Sequence, residues 1–147
     1  MLVCHINLAS GFRGGERQAE LLVRELAKRG HPQRLVIRRG NELKDRCADI
    51  EGLGIVEVAS NPVAAALAAR GSDIVQLHEG RGVYSGWLAS LLYGIPYVIT
   101  RRVPNPQRPS MLRDRAYRRA ATVVALSEAV ARSMTRYADL DFDIIPD

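Results

Sequence analysis

Residues 2–38 read LVCHINLASGFRGGERQAELLVRELAKRGHPQRLVIR, and this stretch decides the fold. LVCHINL is a short apolar run, and a glycine-rich loop follows it. From Gly15 to Gly30 the pattern is helical: Ala19, Leu22, Val23, Leu26 and Ala27 recur at i, i+3, i+4, i+7 and i+8. Lys28 and Arg29 suit the negative end of the helix dipole, and Gly30 is a stop signal. QRLVIR, residues 33–38, reads as a second strand.

The alternation continues outward from there. Residues 41–53 predict a short helix with Asn41 as its N-cap, and Gly54 leads into a third strand, IVEVA. Pro62 opens an alanine-rich helix that ends at Gly71. DIVQLH (73–78) is a fourth strand, a helix over about 83–93 stops at Gly94 and Pro96, and YVIT (97–100) is a fifth strand. Pro104, Pro106 and Pro109 mark an irregular loop, and Ser110 caps an arginine-studded helix to about Ala121. TVVAL, a helix from Ser127-Glu128 to about Tyr137, and a short DFDIIP strand complete the chain. The strands are continuous apolar runs, so both of their faces are buried. The expected fold is a doubly wound α/β domain with a largely parallel sheet of about seven strands.

The 147 residues and 16.2 kDa leave room for one domain, residues 1–147. With 47% apolar and 25% charged residues, disordered, collagen-like and coiled-coil classes are excluded. No apolar run approaches the roughly 20 residues that cross a bilayer. Met1-Leu2-Val3-Cys4-His5 does not open like a signal peptide. Cys4 and Cys47 stand far apart and predict buried free thiols in a reducing compartment, hence a cytoplasmic protein.

Net charge is +5, and the basic surplus is local. Residues 81–136 carry ten arginines against only Asp114 and Glu128. Such a segment suits anionic lipid, a phosphorylated small molecule or nucleic acid. Of the 21 basic residues 19 are arginine, whose planar fork holds two phosphate oxygens at once; a GC-rich genome gives the same bias.

In doubly wound sheets ligands bind beyond the carboxyl ends of the strands. Function is therefore expected in the loops at 9–16, 78–86 and 101–110. The first of these has glycines at 11, 14 and 15, which permit positive φ and close approach of a ligand, and a helix N-terminus that favours an anion. The spacing is not the GxGxxG of dinucleotide domains, and no Gly-Lys-Ser/Thr makes it a P-loop. His5, His31 and His78 lie scattered along the chain, and no metal-ligand cluster is expected.

Read whole, GFRGGERQ after LVCHINLA and before LLVRELAKRGH resembles the amino-terminal end of the GT-B glycosyltransferases of family 4. DIVQLHEG, LLYGIPYVIT, AATVVALSEAVARSM and DFDIIPD resemble later segments of the same domain, in the same order, over essentially all 147 residues. The resemblance implies a retaining enzyme that transfers a sugar from a nucleotide sugar to an acceptor, with no bound metal and no cofactor. It also implies two domains, the second carrying the nucleotide-sugar site. This chain is therefore expected to be the acceptor-side domain, with the donor-binding domain outside it. Arg101 and Arg102 stand where many relatives have a histidine, so no catalytic residue is carried over.

On this resemblance Gly14, Gly15 and Glu16 form the loop approached by the donor's phosphates or sugar. Arg17, His78, Glu79, Arg101 and Arg102 are the acceptor-binding candidates, the two arginines gripping a phosphate or carboxylate. Glu16 as a first-turn dipole partner, His78 as a structural histidine and the arginines as solvated surface are the plainer readings. His5, in mid-strand, reads as core. Arg113, Arg115, Arg118 and Arg119, interleaved with Met111, Leu112 and Tyr117, make a helix suited to an anionic membrane. That fits a glycan or glycolipid acceptor, such as one in lipopolysaccharide synthesis, and a protein peripheral to the inner membrane face. Two other classes compete. Arg38 and Arg39 end strand two, where an NADP 2′-phosphate would sit, though the glycine spacing is wrong. The basic segment could serve a non-catalytic nucleic-acid binder, but aromatics are only 5% and no stacking platform appears, so nucleic acid is not expected.

Overall fold

The computed structural model describes residues 1–105, 108–134, 137 and 139–146. Seven parallel strands run β1 (Val3–Asn7), β2 (Gln33–Arg38), β3 (Leu53–Val58), β4 (Ile74–Leu77), β5 (Tyr97–Arg101), β6 (Thr122–Ala125) and β7 (Phe142–Ile144). Their spatial order is β3-β2-β1-β4-β5-β6-β7. Among the described residues six α-helices connect them: α1 (Gly14–Lys28), α2 (Leu43–Cys47), α3 (Pro62–Ala68), α4 (Val83–Tyr93), α5 (Met111–Arg119) and α6 (Glu128–Ser133). The alternation of strand and helix is as the sequence predicts, and the sheet is parallel throughout.

Successive strand residues point to opposite faces, so each strand feeds two layers. In β2, Leu35 and Ile37 pack with Ala19 and Val23 of α1 and with Leu43 and Cys47 of α2. Val36 joins the larger opposite core, with Ile6, Leu77, Tyr97, Ile99, Ala65 of α3, Ala89 of α4 and Ala116 of α5. Gly86 brings α4 close to this face. A Cβ there would lie 2.6 Å from Leu77 Cδ1 and 2.9 Å from Tyr97 Cδ2, so only glycine fits without a shift. Both cysteines are buried and free, and burial pushes each thiol up to about 11.

Several boundaries differ from expectation. The helix predicted over 41–53 is the five-residue α2, because Asn41 turns inward. Its Oδ1 accepts from Leu43 N at 2.8 Å and its Nδ2 donates to Ala9 O at 2.8 Å. After Cys47 the chain loosens into three-residue turns and reverses at Gly52, which has φ +75, so β3 starts at Leu53. Ser127 caps α6 by accepting from Val130 N at 3.3 Å, yet α6 ends at Ser133, short of Tyr137. Residues 135 and 136 of that predicted helix, and Pro106 of the proline loop, lie outside the described residues.

Candidate functional site

From β1 the chain runs outward to β2 and β3, then crosses back to β4 on the other side of β1. The connections leaving β1 and β4 therefore diverge onto opposite faces and open a crevice at the carboxyl ends of the strands. A cleft of about 500 Å³ lies there, lined by Arg13, Gly14, Gly15, Glu16, Gln18, His78, Glu79, Gly80, Thr100, Arg101, Arg102, Val103 and Leu126. The three loops singled out in the sequence thus meet on one rim.

Gly14 and Gly15 are the first residues of α1 and do not have positive φ, so their use is not the conformational freedom expected of them. A Cβ on Gly14 would meet nothing within 4 Å, and one on Gly15 only Arg102 Cδ at 3.8 Å. What these glycines keep is bare backbone at the cleft. Glu16 closes the first turn: its Oε2 accepts from Arg13 N at 2.9 Å, and Asn7 Nδ2 approaches its Oε1 at 3.5 Å. The loop is braced from outside by Asn41 on Ala9 and by the Arg46 guanidinium 3.9 Å over the Phe12 ring.

Two of the three histidines are not scattered in space, whereas His31 stays apart from them. The pairing of β1 with β4 brings His5 and His78 together, 73 residues apart in sequence, with ring centroids 5.2 Å apart and His5 Nδ1 at 3.0 Å from His78 Nε2. His5 Nε2 lies 2.9 Å from Gln33 Oε1. Burial pulls the His5 imidazole down to about 4, partly offset by its bond to Gln33. Burial also takes His78 well below the ordinary histidine range, helped by His5 and the Arg102 charge. Both rings are neutral at pH 7. Glu79 ties the two diverging loops together, its Oε1 accepting from Leu8 N at 3.2 Å and its Oε2 from Arg81 N at 2.6 Å. Burial raises its carboxyl, and these backbone donors oppose the rise.

Arg101 and Arg102 both line the cleft, but they leave β5 in different directions. Arg101 is the last residue of β5, is 7% exposed, and turns to the α4–α5 side. There it lies beside Tyr117 and donates to Asn105 O at 3.2 Å, on the proline loop. Arg102 emerges on the α1 side, lies under Gly15 and donates from Nη1 to His78 O at 3.0 Å. Adjacent residues leaving a strand diverge, so the two side chains reach the cleft from different sides, Arg101 beside Gly80 and Arg102 under Gly15, while Arg101 also braces the proline loop. Arg17 is not brought to the cleft: it is half exposed and pairs along α1 with Glu20 at 3.6 Å. His78, Glu79, Glu16, Gly14, Gly15, Arg101 and Arg102 do converge.

Residues the sequence reading did not link to the site are Asn7, Gln33, Thr100 and Asn41, the last of which it read only as an N-cap. All four are buried polar groups within or just after strands. The available signal was a polar side chain interrupting an apolar run, as Asn7 does in LVCHINL.

Residues 13–143 match the family described as glycosyl transferase 4-like domain, and the chain belongs to that family. No curated protein sequence matches it. Among solved structures, Anabaena HepE in complex with UDP and glucose superimposes with a TM-score of 0.79 at 14% identity, over 99% of this chain and 44% of HepE. Acinetobacter baumannii MurG gives 0.63 at 16% identity, over 84% of this chain and 40% of MurG. The chain spans less than half the length of either. The family displaces the NADP-domain and nucleic-acid readings. Among the described residues no helix is long and apolar enough to cross a membrane.

Proposed function

We propose that this chain is the acceptor-side half of a two-domain, retaining glycosyltransferase that moves a sugar from a nucleotide sugar to a glycan or glycolipid of the lipopolysaccharide type. The observation that carries the reading is the cleft at the β1/β4 divergence. There the bare N-terminal backbone of α1, a cation and a neutral histidine face one space in a chain of this family. HepE, which shares the fold over this whole chain, is solved with UDP and glucose.

The division of work follows from the chemistry of each group. The free N–H groups at Gly14 and Gly15 favour the donor's phosphates or the negative charge that collects on them as the glycosidic bond breaks. Arg102, screened on one side by His78 and Gly15, is the cation for an acceptor phosphate or carboxylate. Glu16 and Glu79 hold the loops in place, and Arg101 holds the one after β5. The donor site itself belongs to a second domain. An acceptor on a lipid suits the α4–α5 surface, where Leu91, Leu92, Met111 and Leu112 are exposed beside Arg115, Arg118 and Arg119. A shallow hollow of about 470 Å³ lies between Trp87, Leu91 and the same three arginines. Arg113 sits apart from them, donating to Arg108 O at 3.3 Å.

The test is transfer from radiolabelled UDP-glucose and other nucleotide sugars, measured for the 147 residues alone and for the chain joined to a second domain. The isolated chain is expected to transfer nothing, because donor binding needs the second domain. Transfer by it alone overturns the two-domain reading.

A further inference from the structure

The bond between His5 and His78 has a direction, and Gln33 sets it. Gln33 Nε2 lies 2.9 Å from Val23 O, a carbonyl that only accepts. The amide end of Gln33 is therefore fixed, and its Oε1 faces His5 Nε2 at 2.9 Å as an acceptor. His5 must carry its proton on Nε2. A neutral imidazole has only one, so His5 Nδ1 is bare. His78 Nε2, 3.0 Å from that nitrogen, must then be the donor. This leaves His78 Nδ1 with a lone pair and no proton. Nδ1 is buried and has no hydrogen-bond partner among the described residues. Buried acceptors are normally satisfied, so a bare one on a histidine that lines the cleft is an observation to be explained.

We infer that Gln33 and His5 are positioning residues that lock His78 in the Nδ1-bare tautomer, so that the cleft takes a hydroxyl of its ligand at that nitrogen. A lone pair repels an anion and attracts an O–H. Arg102, which donates to His78 O at 3.0 Å, is the complementary group and attracts negative charge. The two together suit a ligand that carries a hydroxyl close to a phosphate, as a glycosyl phosphate does. The choice of a sugar rests on the glycosyltransferase reading; the tautomer does not. Neither His5 nor Gln33 lines the cleft, so neither is a catalytic residue.

Long-range proton–nitrogen NMR of the nitrogen-labelled chain reads each ring nitrogen as protonated or bare. At neutral pH both histidines are expected to be protonated on Nε2 and bare on Nδ1. A proton on His78 Nδ1 in the unmodified chain overturns the inference without any variant. In Gln33→Met, which keeps the bulk and removes the acceptor, His78 is expected to populate both tautomers. An unchanged tautomer in that folded variant removes Gln33 from the role. Glucose 1-phosphate is then titrated, with inorganic phosphate as the control. Movement of the His78 Nδ1 resonance by the sugar phosphate and not by phosphate supports the hydroxyl contact. Equal movement by both overturns it and leaves the sugar-transfer reading standing. No movement of Nδ1 by either ligand overturns the hydroxyl contact, while the tautomer stands on the first spectrum and the sugar-transfer reading on the transfer assay of the two-domain protein.

Discussion

The two layers that flank the sheet are built from different material. Against α3, α4 and α5 the strands present Ile6, Leu8, Leu77, Tyr97 and Ile99, a continuous apolar surface. Against α1, beside the apolar Leu35 and Ile37 of β2, the sheet presents His5, Asn7, Gln33, His78 and Thr100, all buried and polar. The difference follows from how the helices are distributed. Four connections cover one face, whereas α1 and α2 cover only part of the other. Beside α1, a trough of about 400 Å³ lies over β4–β7, between Leu22, Gln76, Val124 and Ile145. Stability is concentrated where coverage is complete, and polar chemistry where it is not. Buried polar groups weaken a core unless they are hydrogen-bonded. The α1 side keeps them in a network that ends at the cleft.

The comparison breaks first at the apolar face. Tyr97→Ala removes a fully buried ring and is expected to cost about 3–5 kcal/mol, read as the shift in urea midpoint. A loss below about 1 kcal/mol means that this layer does not carry the fold.

The polar face has its own signature in acid. The unfolded chain protonates His5 near 6.5, whereas the folded chain holds it neutral down to about 4. Protons therefore favour the unfolded state in that window. Stability is full above about pH 6.5 and falls as the pH drops toward 4, by about 3 kcal/mol from His5, with His78 acting in the same direction. A urea midpoint that stays flat from pH 7 to pH 4.5 rules out a neutral buried pair.

The two arginines at the end of β5 divide along the same line. Arg101→Ala removes a guanidinium packed against Tyr117 and the loop, and is expected to lower stability by roughly 1–3 kcal/mol. Arg102→Ala gives up the bond to His78 O but buries less, and is expected to lower the midpoint by less than Arg101→Ala does. In the two-domain enzyme it should raise acceptor KM by roughly 10–150-fold with donor KM unmoved, and lysine should recover only part of the loss. Equal loss of stability in both variants erases the distinction.

The glycines give the smallest effects. Gly86→Ala forces a Cβ against Leu77 and Tyr97 and should cost about 1 kcal/mol net of its helix gain. Gly15→Ala meets only an ordinary contact with Arg102, so its midpoint should hold or rise slightly while ligand affinity falls. Thermal melts of the two variants side by side check the contrast.

The fold was legible because apolar runs and helical spacing are local signals, and a chain that alternates them has few ways to bury both faces of each strand. The loops of the candidate site were legible for the same reason, since the topology places all carboxyl strand ends on one rim. Individual side chains were less so. Period-two geometry at the end of β5 already implies that Arg101 and Arg102 diverge, yet which of them lies beside α1 depends on which face α1 covers. Asn41 resembles an N-cap, and only its bond to Ala9 shows that it braces the first loop instead.

By itself the sequence determined the order of elements, the parallel sheet, the burial of both thiols and the family, because each rests on neighbours along the chain. The tertiary structure alone decided which polar groups act together. His5, Gln33 and His78 carry no shared local pattern, and they meet because β1 pairs with β2 on one side and β4 on the other. A hydrogen bond needs its partners within about 3 Å. Strand pairing brings residues that close across any separation in sequence, and that closeness turns three buried side chains into one relay.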